Sequence, residues 1–304
     1  MPELPDVVVY IEALMVRVGG QPLERFRIGN PFVVRTVDPP PTELEGRAVT
    51  GLRRMGKRIV FAFERRENAA DDAEHALFMV VHLMVAGRFK WRDRGTAIPG
   101  KVGLAAWDFP AGTLILTEQG SKRQASIHVV RGRAALAEFE RGGLEVLDTG
   151  LPAFAERLTR ENHTVKRALT DPAIFSGIGN AYSDEILHAA RLSPMRQTRQ
   201  LNREEVARLF EATQRTLHEW ITRTRGEVGD RFPERVTAFR EGMAAHGRFG
   251  KPCPVCAAPI QRIVYARNEC NYCAKCQTDG RLLSDRALSR LLREDWPKAL
   301  EEME

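Results

Sequence analysis

The stretch CPVCAAPIQRIVYARNECNYCAKC, from Cys253 to Cys276, decides the fold of the carboxyl-terminal part of the chain. It holds all five cysteines of the sequence, and four of them form two Cys-x-x-Cys pairs, Cys253 with Cys256 and Cys273 with Cys276. Each pair can present two thiolates to one ion, and two such turns on facing strands complete a tetrahedral Zn²⁺ site. Four unrelated buried thiols are the alternative, which this spacing disfavours. The pattern predicts a structural zinc ribbon, with Cys270 outside it as a packing residue.

The composition limits the class of protein. The chain has 304 residues and 43% hydrophobic content, which suggests about two domains of ~100–200 residues. Lysine and arginine number 46 against 40 acidic residues, and the net charge of +6 favours an anionic partner such as nucleic acid. No apolar run approaches ~18 residues, and the amino terminus lacks a secretory pattern, so neither a membrane span nor export is expected. Cysteines confined to one cluster fit a metal site in a reducing cytoplasm.

The residues up to about position 140 alternate between short strand-like runs and turn residues. This spacing is typical of a β-sandwich. The apolar stripe over Val7–Val18 predicts one helix before the strands. Strands are predicted at Arg25–Ile28, Val33–Val37, Val49–Arg54, Arg58–Glu64, Ala76–Met84, Gly87–Trp91, Leu104–Phe109, Thr113–Thr117 and Ser126–Val130.

The pattern becomes helical after about position 136. Apolar residues recur at a spacing of about 3.6 residues over Leu158–Leu169, Tyr182–Ala190 and Arg203–Thr224. Asn202 is a plausible N-cap for the third helix. A mobile loop is predicted over Gly226–Gly250. A last amphipathic helix is expected over Ser284–Met303.

A glycine-rich turn precedes the second of these helices. Gly177-Ile178-Gly179-Asn180 would let the backbone approach a phosphate, and the free N–H groups of the helix start favour an anion. Asn180 fits either an N-cap or a phosphate donor. A turn that only packs two helices together is the alternative interpretation.

The first residues, Met1-Pro2-Glu3, carry a possible nucleophile. If Met1 is removed, Pro2 has a free secondary amine, and an amino-terminal amine has an ordinary pKa of roughly 7.7–8.0. Such an amine beside the carboxylate of Glu3 suits Schiff-base chemistry. The alternative is that Pro2 only shapes the chain as it enters the first helix.

Five short motifs follow one another along nearly the whole chain, and their order matters as much as their residues. They are Pro2-Glu3-Leu4-Pro5, Gly56-Lys57, His82-Leu83, the Gly177–Glu185 turn and helix, and the four-cysteine ribbon. Together they resemble the formamidopyrimidine-DNA glycosylase / endonuclease VIII family of base-excision repair enzymes. Leu4, where endonuclease VIII proteins typically have glycine, favours the formamidopyrimidine branch.

The resemblance implies an α+β fold of four segments. An N-terminal catalytic β-sandwich domain with flanking helices is expected over 1–135, and a helical helix–two-turn–helix DNA-binding domain over 136–242. A zinc-ribbon hairpin is expected over 243–282 and a helical extension over 283–304. Damaged double-stranded DNA is the expected partner, and we expect a monomer with one structural Zn²⁺ in the bacterial cytoplasm.

The resemblance also assigns roles to single residues. Pro2 would be the nucleophile, whose amine attacks C1′ of the damaged nucleotide, after which the base leaves and elimination cleaves the strand. Glu3 matches the carboxylate that transfers protons to and from the deoxyribose, and Lys57 matches a lysine that contacts the phosphate beside the lesion. The residues expected to bind DNA are His82, Arg123, Asn180 and Arg267.

Several positions depart from the family pattern. Asp6 stands where glutamate is usual, Val85 stands in place of a minor-groove methionine, and His246 stands in place of a tyrosine. The loop that usually reads Arg-Arg-Phe-Gly is Lys122-Arg123-Gln124-Ala125. In the family these loop residues fill the gap left by the flipped base and sense the opposite base. The preferred lesion and the opposite-base rule therefore stay open.

Three functions are compatible with these observations. The first is a bifunctional DNA glycosylase and abasic-site lyase that removes oxidised purines, namely formamidopyrimidines and 8-oxoguanine. The second keeps this chemistry but shifts the substrate to oxidised pyrimidines or to abasic sites, as the altered loop suggests. The third is a zinc-ribbon protein that binds damaged DNA without chemistry, although Pro2, Glu3 and Lys57 argue against it.

Overall fold

The computed structural model describes residues 1–64, 75–120, 122–234, 236–237, 239–265, 268–283 and 299–300. The fold is mixed α+β, as predicted, and the chain forms two compact units. The first unit comprises Met1–Arg141 and Trp220–Thr237, and the second comprises Gly142–Glu219 and Ala238–Glu304.

The first unit is a β-sandwich. Two four-stranded antiparallel sheets lie in its described residues, with strand orders β1-β6-β7-β5 and β2-β3-β4-β8. The strands are β1 (Arg25–Ile28), β2 (Val49–Met55), β3 (Arg58–Phe63), β4 (Leu77–His82), β5 (Gly87–Arg92), β6 (Gly103–Phe109), β7 (Gly112–Glu118) and β8 (Ser126–Arg131).

Alternation of side chains along the strands builds the core between the sheets. In β4, Leu77, Met79 and Val81 point into the core, because successive side chains of a strand face opposite sides. The indole Nε1–H of Trp107 in β6 donates to the sulfur of Met79 at 3.0 Å, so the two sheets meet at this contact. His82 is the last residue of β4 and follows the core residue Val81, so its side chain faces the opposite side of the sheet. This is consistent with its place outside the core cluster.

Helices cover the sandwich and build the second unit. In α1 the fully buried Val7, Tyr10, Leu14 and Val18 recur at helical spacing and join the core of the first unit. The helices within the described residues are α1 (Leu4–Val18), α2 (Gly132–Ala137), α3 (Leu151–Thr159), α4 (Val165–Thr170), α5 (Asn180–Ala190), α6 (Arg203–Val228) and α7 (Ala274–Thr278).

The second unit combines helices with a short hairpin. β9 (Ile260–Tyr265) and β10 (Asn268–Cys273) pair antiparallel and precede α7. The predicted N-cap of α6 is confirmed, since Asn202 accepts the N–H of Glu205 at 2.8 Å and its own N–H donates to the Glu205 carboxylate at 2.9 Å. This reciprocal pair is a capping box.

Two predicted elements are wrong. The helix predicted over Leu158–Leu169 is two helices, because the Thr198 hydroxyl accepts the N–H of His163 and donates to the carbonyl of Glu161, which holds the chain in a non-helical turn. The strand predicted over Val33–Val37 begins instead as a 3-10 turn, Pro31–Val33, capped by the side chain of Asn30.

Other predictions differ at their ends or cannot be compared. The loop predicted from Gly226 begins later, because α6 continues to Val228. The helix predicted over Ser284–Met303 falls almost wholly outside the described residues. Within the described residues no helix is long and apolar enough to cross a bilayer.

Candidate functional site

The amino terminus of the first unit is fixed at the start of α1. Pro2 is buried, Glu3 is 3% exposed, and Glu3 is the N-cap residue of the helix. The N–H of Glu3 donates to the Asp6 carboxylate at 2.8 Å, and the Glu3 carboxylate in turn accepts the backbone N–H of Asp6. Asp6 thus closes a capping box despite being one methylene shorter than the usual glutamate. Both carboxylates are held next to Pro2.

The surroundings of the terminus favour an uncharged amine. With Met1 in place, burial lowers the pKa of the terminal amine below its usual value of 8.0, and the positive charges of Arg88 and Lys57 lower this pKa further. The negative charges of Glu3 and Asp6 oppose that shift. The charge of the predicted residue Lys57 therefore acts on the terminus that carries Pro2 and Glu3. Sequence reasoning missed Arg88, which lies on β5 with no motif to mark it.

A tight turn presents Lys57. Gly56 and Lys57 join β2 to β3, and Gly56 has a φ of +61°, a left-handed conformation that glycine adopts without strain. The Arg54 guanidinium donates to the carbonyl of Gly56 at 2.8 Å and braces this turn. The half-buried Lys57 is thereby held at the end of the hairpin.

His82 lies at the end of β4 among cations. Its partner across the sheet is Arg58 on β3, and His128 lies on the neighbouring strand β8. Burial, with the positive charges of Arg58 and Lys57 and a contribution from His128, lowers the pKa of His82 from 6.5 to about 4. A neutral imidazole can still donate one N–H to a phosphate oxygen.

We expect the low pKa of His82 to appear as a pH-dependent stability. The unfolded imidazole titrates near its ordinary pKa of ~6.5, so between ~6.5 and about 4 the unfolded chain binds a proton that the folded chain does not. The free energy of unfolding should therefore fall as the pH drops through this window. His82→Gln should reduce that fall, as measured by urea denaturation at several pH values.

His75→Gln is the matched control, since His75 is an exposed histidine of the same unit. It should leave the pH dependence as it is. A fall in the free energy of unfolding that is the same in the wild type and in His82→Gln would contradict the low pKa.

The Lys122–Ala125 loop is held by a buried acid that sequence reasoning missed. Glu118, at the end of β7 and only 2% exposed, accepts the backbone N–H groups of Gln124 at 2.8 Å and Ala125 at 3.0 Å. The predicted DNA ligand Arg123 is exposed, and its guanidinium donates to the carbonyl of Lys101. A lone carboxylate in an otherwise uncharged strand is the signal that would have pointed to Glu118.

Asn180 in the second unit is the first residue of α5, and Gly179 is its N-cap, so the N-cap interpretation of Asn180 is wrong. The side-chain amide of Asn180 instead donates to the carbonyl of Glu269 on β10 at 2.7 Å. Its backbone carbonyl accepts from the ammonium of Lys166 at 2.9 Å. The predicted phosphate ligand is thereby fixed at both its backbone and its side chain.

Lys166, which contacts the backbone of Asn180, belongs to a network of buried charged and polar side chains. The Lys166 ammonium contacts the Asp184 carboxylate at 2.5 Å and the Ser183 hydroxyl at 2.8 Å. The other oxygen of Asp184 contacts Nδ1 of His246 at 2.7 Å. Burial alone would raise the pKa of Asp184, but Lys166 and His246 outweigh it and hold this pKa below its usual value. His246, which replaces the family tyrosine, is thus a hydrogen-bond partner of α5.

Glu185 holds the loop that precedes the ribbon. Its buried carboxylate accepts backbone N–H groups from Ala244 at 2.7 Å, Ala245 at 2.9 Å and His246 at 2.8 Å. Burial raises the pKa of Glu185, and these three donors partly offset that rise. Its contacts are those of a structural residue.

The four cysteines of the two predicted pairs converge at the ribbon. Their sulfur atoms all lie within 4.8 Å of one another, with Cys253 to Cys276 at 3.9 Å and Cys256 to Cys273 at 3.4 Å. Ligands ~2.3 Å from a tetrahedral ion are ~3.8 Å apart, so this set fits one metal ion. Cys270 lies buried on β10, outside the cluster. Arg267, the predicted arginine of the hairpin, falls outside the described residues.

Comparison with known families accounts for most of the chain. Residues 1–126 match the family described as "Formamidopyrimidine-DNA glycosylase N-terminal domain", and residues 146–231 match "Formamidopyrimidine-DNA glycosylase H2TH domain". The predicted resemblance is confirmed by these matches.

Individual relatives agree with the family matches. A formamidopyrimidine-DNA glycosylase of Moorella thermoacetica is 32% identical, over 86% of this chain and 94% of its own length. An "Uncharacterized formamidopyrimidine-DNA glycosylase-like protein" of Mycobacterium tuberculosis is 36% identical over 50% of this chain and 94% of its own.

Solved structures share the fold. Lactococcus lactis Fpg in complex with DNA containing an abasic site has a TM-score of 0.77 at 23% identity, over 91% of this chain and 99% of that one. The same protein with DNA containing an oxidised pyrimidine gives a TM-score of 0.77 at 23% identity, over 91% and 100% of the two chains.

Proposed function

Because the chain belongs to the formamidopyrimidine-DNA glycosylase family, we propose that it removes oxidised bases from double-stranded DNA and then cleaves the strand at the abasic site. The observation that carries this proposal is the start of α1, where the carboxylates of the buried Glu3 and Asp6 lie beside the buried Pro2, whose amine becomes free once Met1 is removed. A binding protein without chemistry has no need of this arrangement.

The chemistry begins once Met1 has been removed. The nitrogen lone pair of Pro2 forms a bond to C1′ of the damaged nucleotide as the bond from C1′ to the base breaks. Opening of the sugar ring then gives an iminium ion, and loss of a proton from C2′ expels the 3′ phosphate. The first step requires an unprotonated amine on Pro2. Burial and the charges of Arg88 and Lys57 lower the pKa of the amine on Met1, and we expect them to act in the same direction on the amine of Pro2. Glu3, whose buried carboxylate is next to Pro2 in the chain, is the proposed group that exchanges the protons of these steps.

Phosphate contacts position the damaged strand. The ammonium of Lys57, the neutral imidazole of His82, the amide of Asn180 and the guanidinium of Arg123 suit this role, because each is a hydrogen-bond donor. The role of Arg267 stays a prediction from the sequence.

The metal of the ribbon is proposed to be Zn²⁺. Four thiolates that are close enough to bind one ion tetrahedrally favour Zn²⁺ over Mg²⁺ or Ca²⁺, which prefer oxygen ligands. When bound, the ion supplies a structural crosslink and no reactive position. Elemental analysis of the purified protein should find one zinc per chain.

Oxidised purines are the proposed substrates, and an excision panel tests this choice. The protein should release formamidopyrimidine and 8-oxoguanine faster than thymine glycol from otherwise identical duplexes. The second candidate, an enzyme for oxidised pyrimidines, is favoured by Gln124 and Ala125, which replace the usual Phe-Gly. Preferred release of thymine glycol would support this second candidate. Binding to every damaged duplex without release of any base would overturn the enzymatic proposal.

A further inference from the structure

A histidine of α5 contacts the cysteine cluster. Nε2 of His188 lies 3.2 Å from the sulfur of Cys253, and both residues are buried, with exposed fractions of 5% and 3%. The two residues are 65 positions apart in the sequence. The sequence analysis gave His188 no role, and neither the proposed chemistry nor the proposed phosphate contacts use it.

A four-cysteine zinc centre needs donors around its sulfurs. Four thiolates and one Zn²⁺ carry a net charge of −2, so N–H groups and cations nearby stabilise the centre. Cys253 also accepts the backbone N–H of Val255 at 3.4 Å. His188 brings a ring nitrogen to the same sulfur, from a different element of the unit.

Cationic side chains lie beside two other cysteines of the cluster. A groove of about 610 Å³ is bordered by Cys256, Cys276 and the side chains of Arg191, Arg208 and Lys275, with Asp279 as its one acidic residue among those described. The guanidinium of Arg208 also donates to the carbonyl of Ala190 at the end of α5. The cluster therefore lies in positive surroundings that suit a dianionic centre.

We propose that His188 is an outer-shell ligand of the zinc centre, donating its Nε2–H to the Cys253 thiolate. This donor strengthens metal retention and joins α5 to the ribbon at the metal itself. The proposal rests on the proposed zinc site and not on the excision chemistry.

The contact has a consequence for DNA binding, because α5 begins at Asn180. Hydrogen bonds join both ends of the segment Asn180–Leu192 to the ribbon region. At one end the side-chain amide of Asn180 donates to the carbonyl of Glu269 at 2.7 Å, and at the other end the carbonyl of Leu192 accepts from the side-chain amide of Gln277 at 2.9 Å. The His188 contact lies between these two. Loss of the metal should therefore loosen the element that carries the predicted phosphate ligand.

The test is zinc affinity, measured in the full-length protein by competition with a chromophoric chelator. His188→Phe keeps a ring of similar size but removes the donor, and it should weaken zinc binding about 10–100-fold, as loss of outer-shell partners does. His188→Gln keeps an N–H donor and should recover most of the affinity. His218→Phe, the same change at an exposed histidine of α6, should match the wild type.

Cobalt spectra separate the hydrogen bond from a packing role. In the Co²⁺-substituted protein, loss of the donor should move the thiolate-to-metal charge-transfer band to lower energy in His188→Phe, since the sulfur electrons are less stabilised. An unchanged band together with unchanged zinc affinity would overturn the proposal. Loss of the tetrahedral cobalt spectrum in His188→Phe would overturn it too, because His188 would then be a direct ligand.

Discussion

Replacement of Glu3 by glutamine will lower the rate of base excision by about 10²–10⁴-fold, the usual contribution of a positioned acid–base group. Glutamine has the shape of glutamate and keeps an oxygen that can accept the backbone N–H of Asp6, so the capping box at the start of α1 can persist. The variant therefore removes proton transfer while it keeps the fold. Single-turnover release of the damaged base measures this effect.

The control for this variant is Glu12→Gln, the same change further along α1, where Glu12 pairs with Arg225 near the surface. It should leave the rate of base release within about twofold, because exposed ion pairs contribute little. Binding of Glu3→Gln to a duplex with an abasic-site analogue should stay close to that of the wild type. Excision by Glu3→Gln at the wild-type rate would remove Glu3 from the proposed chemistry.

Replacement of Lys166 by methionine will reduce the free energy of unfolding by about 3–5 kcal/mol, the usual cost of breaking a buried ion pair. The side chains of Lys166 and Asp184 are 4% and 0% exposed, so water cannot replace the lost ammonium. The pKa of Asp184 should rise in the variant. The lowered pKa of Asp184 contributes stability that is present above the ordinary carboxyl pKa of 3.8 and is lost as the pH falls below it. The free energies of unfolding of the wild type and of Lys166→Met should therefore converge in acid.

Urea denaturation followed by far-UV circular dichroism measures this loss at neutral pH. Lys251→Met is the matched control, because Lys251 is an exposed lysine of the same unit. Its stability should lie within about 0.5 kcal/mol of the wild type. A Lys166→Met protein as stable as this control would show that the network contributes nothing to folding.

Local patterns predicted the main features of the fold. The apolar spacing of Val7, Tyr10, Leu14 and Val18 predicts α1, because one face of a helix must be buried against the sheets. The two Cys-x-x-Cys pairs predict that the four sulfurs converge, because each pair presents two thiolates to one ion.

The errors come from contacts that are distant in sequence. The break between α3 and α4 depends on Thr198, which lies more than thirty residues away along the chain. The N-cap interpretation of Asn180 was wrong by one residue, because glycine and asparagine are both good N-caps and Gly179 has this role. Glu118 and His188 were missed because their partners, a loop backbone and a thiolate, are brought to them only by the fold.

The most direct test of the central claim is to locate the covalent bond between the protein and DNA. Borohydride would reduce the iminium ion formed on an abasic duplex, and mass spectrometry of the digested adduct would identify the attached residue. The proposed chemistry predicts attachment at the nitrogen of Pro2 in a chain that has lost Met1. Attachment at Lys57, whose charge acts on the same terminus, or at any other lysine would contradict it.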